Sequence, residues 1–492
     1  MLIAVVVLAG FAAACSQTGT PAGTDPVPSS TVSGTETDVV TEPVDTGPGI
    51  DPDRKFDGYS YVILQHSGAA GKDFEAEEDS SDVLLSADYA RKLKVEDALG
   101  IEIIVEELTA GKRDGAAVLN NYMLAGDYVY SLASLSSYSA GNAMLSNLLT
   151  DLNSIPNLDL SRDWWDQSCV VDCSVGEKLY FMTGDISYID NNQTFAMQFN
   201  KKLANDYGLS SLYEYVDNKT WTLDTLLQVV RKAAAVDGDV DKDGQHQNDP
   251  DDIYPVYTWD DAVLGFINAS DVKCAGISDS GEFEFTLNKN QDKLFSVFDK
   301  YSSILYDTDL TCAYQRNGYD KSYGLMAFRD DRALFYFSNI WICTLLRNDM
   351  ESEYGVLPFP MYDESQTKYI SPITPFNMMY YVVPSNGSEE DLDAIGFITQ
   401  LLGYESKRLV TPAYYDKILK QRSTSDEDSH RMVDLILASR AHDFGWIYEL
   451  GGYNEGLMNL FRTYSSDLSS TISATLEQAQ SKINDLNLAI KG

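Results

Sequence analysis

Tyr59-Ser60-Tyr61-Val62-Ile63-Leu64 is followed by a helical stretch from about Ser86 and then by Ile101-Glu102-Ile103-Ile104-Val105. The first and last of these have the pattern of short buried strands. The polar turn Gln65-His66-Ser67-Gly68 ends the first strand, and Gly100 stops the helix. Strand, helix, strand in that order predicts a parallel α/β sheet, and such sheets bind ligands in the loops at the carboxyl ends of their strands.

Working outward, Leu179 to Met182, Phe195 to Phe199, Ala333 to Phe337 and Met379 to Val383 read as further strands. After Trp221, apolar residues at Leu223, Leu226, Leu227, Val230 and Ala234 recur at helical spacing. Leu468, Ile472, Leu476, Ala479, Ile483, Leu486 and Ile490 draw one apolar stripe on a closing helix, expected to pack onto its own domain. Helical and strand signals thus alternate through most of the chain, without an internal repeat.

The 492 residues carry 36 Lys+Arg against 75 Asp+Glu, a formal charge of −39, which excludes a nucleic-acid binder working through its overall field. Hydrophobic residues make up 44%, enough for a large core, and the length fits two or three domains or two lobes sharing crossing segments.

Met1 to Ala14 is uncharged and almost wholly apolar, too short for a permanent span, and ends in Ala12-Ala13-Ala14-Cys15. Small residues before Cys15 resemble a bacterial lipobox, with Ala12 where Leu is usual. Residues 1–15 therefore read as a lipoprotein signal with a lipidated Cys15. A signal normally begins with Lys or Arg, whereas the first basic residue here is Arg54, so the true start is expected a few residues upstream. Residues 16–54 are rich in Thr, Ser, Gly, Pro and acids and hold six of the fifteen prolines; that composition predicts a disordered tether. The expected location is the extracytoplasmic face of the cell membrane, through the lipid.

With Cys15 lipidated, Cys169, Cys173, Cys274, Cys312 and Cys343 remain, an odd number that cannot all pair. Whether Cys169 and Cys173 pair stays open. Without Cys-x-x-Cys, and with His66, His246, His430 and His442 scattered, the cysteines read as structural or free rather than metal-binding. A separate cation site is suggested by Asp239-Val-Asp241-Lys-Asp243-Gly244-Gln245, whose alternating carboxylates and turn glycine suit a structural Ca2+. Its twelfth position is Pro250 instead of the bidentate Glu, so Asp249, Asp251 or Asp252 would have to substitute.

No Gly-x-Ser-x-Gly, His-Glu-x-x-His, P-loop or Gly-x-Gly-x-x-Gly occurs, so the chain reads as a non-enzyme requiring no cofactor. The alternative is a surface carbohydrate-active hydrolase using two of Asp166, Asp185, Asp190, Asp260 and Asp261, which lie near aromatics.

Several stretches, taken together, resemble family 1 extracellular solute-binding proteins, the sugar-binding lipoproteins that serve ABC importers. They are Glu75-Ala-Glu-Glu-Asp79, Leu149-Thr-Asp-Leu152 to Asp163-Trp-Trp-Asp166, and Gly176-Glu-Lys-Leu-Tyr-Phe181 with Thr183-Gly-Asp185. Phe199-Asn-Lys-Lys-Leu203, Lys219-Thr-Trp-Thr-Leu223, Met326-Ala-Phe-Arg-Asp-Asp-Arg-Ala-Leu334 and Tyr354-Gly-Val-Leu-Pro358 continue the series in order. The resemblance implies a two-lobed periplasmic-binding-protein-like α/β fold with a ligand cleft between the lobes. It places lobe 1 at 55–190 and 371–410, and lobe 2 at 191–370 and 411–492. It also implies a monomer that captures a carbohydrate, expected to be an oligosaccharide, for the permease subunits; a peptide ligand is a further alternative.

A sugar presents flat C–H faces and a rim of hydroxyls, so its site wants aromatic platforms with carboxylate, amide or imidazole groups. Candidates on that basis are Gln65, His66, Trp165, Asp185, Gln193, Tyr257, Trp259, Asp260, Trp341, Phe376 and Trp446. Trp164 and Trp165 are adjacent and cannot both face one cleft, so one of them is expected in the core.

Overall fold

The structure is a computed structural model and describes residues 47–66, 73–74, 76, 80–109, 111–125, 130–209, 212–234, 252–287, 289–313, 322–419 and 427–489. Cys15, the signal and the acidic loop Asp239, Asp241, Asp243, Gln245 and Asp249 lie outside the described residues. Residues 47–54, read from composition as the end of the tether, lie against the body instead. Gln400 Nε2 donates to Pro48 O at 3.2 Å and Arg54 Nη1 to Asp393 Oδ1 at 3.2 Å.

The opening pattern forms as read, except that Gln65 and His66, expected in the turn, are the last residues of the first strand and pair with Glu107 and Leu108. Strand β1 (Ser60–His66) leads through helix Val83–Leu99 to β2 (Glu102–Leu108), and the two strands pair in parallel. Asp82 caps the helix, accepting from Leu84 N at 2.9 Å; Gly100 ends it at φ 72°, a left-handed conformation that glycine adopts without a Cβ penalty. Next come β3 (Leu132–Ser136), β4 (Phe195–Asn200), β5 (Tyr254–Thr258), β6 (Ala275–Ile277) and β7 (Phe283–Phe285). They are followed by β8 (Thr311–Ala313), β9 (Ala333–Asn339), β10 (Tyr354–Leu357), β11 (Ser371–Pro372), β12 (Met379–Val382) and β13 (Arg440–Ala441).

Among the described residues one sheet has the order β12-β3-β1-β2 and a second the order β10-β4-β9-β5-β8. In each sheet a parallel core is extended by antiparallel strands, β12 against β3 in the first, and β4 against β9 with β10 against β4 in the second. The inner strands β3, β5 and β9 are buried on two faces, whereas the edge strand β2 leaves Glu102, Glu106 and Glu107 exposed. The expected strand Leu179 to Met182 does not form. Only Met182 makes a bridge, to Tyr381, because the segment meets the first sheet at its β12 edge instead of running along it.

Three extended stretches run side by side between the sheets. Thr194 bridges Ile373, β11 pairs in parallel with β13, and Ile373 N donates to Ala441 O at 3.1 Å. The closing helix, Leu468–Ala489, buries Leu468, Ile472, Ala479, Ile483 and Leu486 against its own chain, including β7. No helix among the described residues is long and apolar enough to cross a membrane.

Candidate functional site

A cavity of about 660 Å³ opens where the carboxyl ends of β5 and β9 meet the segment between β11 and β12, a volume suited to a small molecule. β5 and β9 are parallel neighbours, so both deliver their loops to the same edge. The loop after β5 supplies Trp259, Asp260 and Asp261. β9 supplies Tyr336 and Asn339, and helix Trp341–Asp349 starts with Trp341. Thr374, Phe376 and Asn377 come from the crossing segment, Lys112 from the loop after β2, and Glu455, Met458 and Arg462 from helix Tyr453–Thr463.

Aromatic faces dominate the walls. The Trp259 and Tyr336 ring centroids are 6.1 Å apart at 60°, Trp341 is half-buried, and Phe376 is 51% exposed. Lys112 Nζ sits 3.7 Å from the Phe376 ring centroid and donates to Phe376 O at 2.8 Å, joining the first sheet's loop to the crossing segment. Arg462 is held between acids: Nε donates to Asp260 Oδ2 and Nη1 to Glu455 Oε1, each at 2.5 Å.

Asn339 Oδ1 is buried at the cavity without a hydrogen-bond partner, while the Trp259 indole N–H and the Asp261 carboxyl are buried there against each other. A buried polar atom left unpaired costs about 1–3 kcal/mol, so a ligand carrying hydroxyls would gain by pairing with the Asn339 amide oxygen. Burial, and then the neighbouring Asp260 carboxylate, push the Asp261 carboxyl up to about 8; the Thr374 hydroxyl, donating to its Oδ2 at 3.3 Å, opposes this. At neutral pH Asp261 is therefore mainly a neutral acid, able to donate as well as accept, and it presents no unpaired charge to an uncharged ligand.

A carboxyl whose folded pKa is raised stabilises the fold below its unfolded pKa near 4, and that stability is lost as pH rises toward 8. Asp261→Asn, neutral at every pH, should flatten this part of the profile. Melting temperatures from pH 5 to 9 are expected to fall more steeply for the wild type than for the variant; parallel curves would show that Asp261 ionises normally.

Of the sequence-derived candidates, Trp259, Asp260, Trp341 and Phe376 line this cavity. The others lie elsewhere. Gln65 and His66 end β1 but are only 3% exposed, and Tyr257 is fully buried within β5. Gln193 is buried where its backbone oxygen accepts from Thr374 N at 2.9 Å. Asp185 accepts from Thr411 Oγ1 at 2.7 Å, and burial pushes its carboxyl up to about 6. Trp165 and Trp164 are both interior, packed so tightly on Gly403 that a Cβ there would stand 2.6 Å from the Trp164 ring. Trp446 is 2% exposed in the short helix Phe444–Ile447, which packs on helix Ser137–Leu145.

Sequence reading missed Asn339, Tyr336, Thr374, Lys112, Glu455, Met458 and Arg462, and it named Asp261 only among the acids of the hydrolase alternative. Asp261 and Asn339 carried a usable signal, since each lies within two residues of a tryptophan already placed at a strand's carboxyl end. Arg462 carried none, standing 202 positions from its partner Asp260.

Neither a protein-family profile nor a curated protein sequence matches the chain. Solved structures do. UgpB from Mycobacterium tuberculosis, in complex with glycerophosphocholine, aligns with TM-score 0.58 at 14% identity, covering 87% of this chain and 100% of its own. The galacto-N-biose/lacto-N-biose I-binding protein of an ABC transporter from Bifidobacterium longum, in complex with lacto-N-biose, gives 0.56 at 11%, covering 88% and 98%. An ABC substrate-binding protein from Listeria monocytogenes, in complex with cycloalternan, gives 0.53 at 11%, covering 88% and 100%. The chain thus has the two-lobed α/β fold of extracellular solute-binding proteins, as its sequence resemblance implied.

Proposed function

We propose that this protein is a family 1 substrate-binding subunit that captures a carbohydrate outside the cell and presents it to an ABC permease, without chemistry of its own. The observation that carries this reading is the cavity at the ends of β5 and β9, where aromatic faces surround the buried polar groups of Trp259, Asp261 and Asn339. Flat rings suit the C–H faces of a pyranose, and the indole N–H, the neutral acid and the amide suit its hydroxyls. Solved proteins of the same fold hold lacto-N-biose or cycloalternan, which supports a sugar over a peptide. Each sheet belongs to one lobe in this proposal, and the stretches at Thr194, Ile373 and Ala441 are the hinge. A ligand touching both sides favours the closed arrangement, and closure is the signal the permease reads.

A thermal-shift screen of the full chain against mono- and oligosaccharides tests the reading. Ligand at 100 times its dissociation constant stabilises by about 2.7 kcal/mol. The sugar should be recovered intact and in stoichiometric amount; release of reducing ends would make the protein a hydrolase, and stabilisation by peptides alone would sink the carbohydrate assignment. The proposed membrane attachment rests on Cys15. Cys15→Ser should move the protein out of the detergent phase or leave it unprocessed, and unchanged partitioning would exclude the lipid anchor.

A further inference from the structure

Helix Gln167–Asp172 begins at Asp166, which accepts from Ser168 N at 2.8 Å and Cys169 N at 3.3 Å, and it ends on Cys173, whose N–H returns to Cys169 O at 2.9 Å. The helix therefore stacks Cys169 and Cys173 one turn apart. Just past β13 the chain brings His442 against them, and the two sulfurs and one ring nitrogen all lie within 4.8 Å of one another. The three residues are almost fully buried, at 1%, 1% and 2% exposure.

We propose that Cys169, Cys173 and His442 form a buried site for a zinc ion. Two thiolates and an imidazole are borderline-soft ligands that suit zinc and exclude the hard cations Ca2+ and Mg2+. Zinc–sulfur bonds of about 2.3 Å and zinc–nitrogen bonds of about 2.0 Å set tetrahedral ligand separations of roughly 3.3 to 3.8 Å. The cluster, with its three atoms within 4.8 Å of one another, would have to tighten by side-chain rotation to reach that. Asp166 Oδ2 lies 3.4 Å from His442 Nε2, the outer carboxylate that keeps the proton on one ring nitrogen and leaves the other as a ligand. That other nitrogen, Nδ1, accepts from the Tyr380 hydroxyl at 2.7 Å, so an ion must displace this hydrogen bond and turn the hydroxyl aside to reach the nitrogen.

Charge is balanced as well. Binding releases the two thiol protons, so one Zn2+ with two thiolates and a neutral imidazole is uncharged overall, the condition for lodging an ion in a protein interior. A disulfide fits less well: residues four apart on a helix hold their Cβ atoms about 5–6 Å apart, whereas a disulfide needs about 3.5–4.5 Å. The ion would fasten the end of β13 to the helix, independently of any sugar in the cleft.

The test uses the full chain, unfolded with a reductant and refolded against Co2+ alone, since the site closes only on folding. The expected result is one cobalt per chain with thiolate-to-cobalt charge-transfer and tetrahedral visible bands, lost when Zn2+ displaces the cobalt. Cys173→Ser and His442→Gln should each weaken binding at least about 100-fold, because each removes a direct ligand where even an outer contact is worth 10–100-fold. Cys343→Ser, whose sulfur lies instead 3.8 Å from Gln198 Nε2, should leave the bands unchanged. If a ligand variant fails to fold, zinc protection of Cys169 and Cys173 from alkylation in the wild type decides the matter. Folded protein without the bands or that protection overturns the proposal, as do bands that survive Cys173→Ser or a Cys169–Cys173 disulfide in protein isolated without reductant.

Discussion

Arg440→Met is expected to destabilise the folded chain by roughly 3 to 5 kcal/mol, the usual cost of removing one partner from a buried ion pair. Arg440 Nε lies 3.3 Å from Asp166 Oδ2 and Nη1 3.0 Å from Asp190 Oδ2, with both carboxylates almost inaccessible. Burial raises both carboxyls, but the Arg440 charge and the His442 hydrogen bond overcome it at Asp166 and hold that carboxyl well below the usual range. At Asp190 burial wins and the carboxyl is pushed up to about 7. Without Arg440 the two acids face each other uncompensated. The native state can then escape only by binding a proton, so the loss should grow as pH rises from 5 to 8, and Asp190→Asn in the same background should restore part of it. Denaturant unfolding of the three proteins measures this. A pH-independent loss below about 1 kcal/mol would show that Arg440 is solvated and the acids are not buried against it.

The second large effect concerns the cleft. Trp259→Ala and Trp341→Ala should each weaken sugar binding by about 1–3 kcal/mol, roughly 5- to 150-fold, by loss of an aromatic platform. Both rings are half-buried at the cavity wall, so melting should shift less than in Trp446→Ala. Trp446 is 2% exposed, and its loss is expected to cost about 3–5 kcal/mol of stability. Titration and melting of all three variants separate platform from core. If Trp341→Ala binds the sugar like the wild type, that ring is not part of the binding surface.

Trp259 and Trp341 were legible because each comes just after an apolar run, and a parallel strand must deliver its next loop to one edge of the sheet. The same reasoning applied to Gln65 and His66 put them in the right kind of place but not at the cavity, since the strand order decides which strand ends adjoin. Trp165, Tyr257 and Trp446 exposed another limit: an aromatic side chain that would suit a sugar suits a core equally, and only its packing neighbours tell the two apart.

The features that the sequence by itself determined are those that depend on neighbours a few residues away. The alternation of strand and helix from Tyr59 to Val105, the stop at Gly100, the helix after Trp221 and the closing apolar stripe all arise from local periodicity and backbone freedom. Tertiary structure decided which distant groups meet. His442, scattered in the sequence, lies against Cys169 and Cys173, and Arg440 lies between Asp166 and Asp190, the nearer of which is 250 positions away. Arg462 reaches Asp260 across 202 positions. Each of these contacts exists because the chain passes repeatedly between two sheets, and no spacing along the sequence encodes which charges that passage leaves side by side.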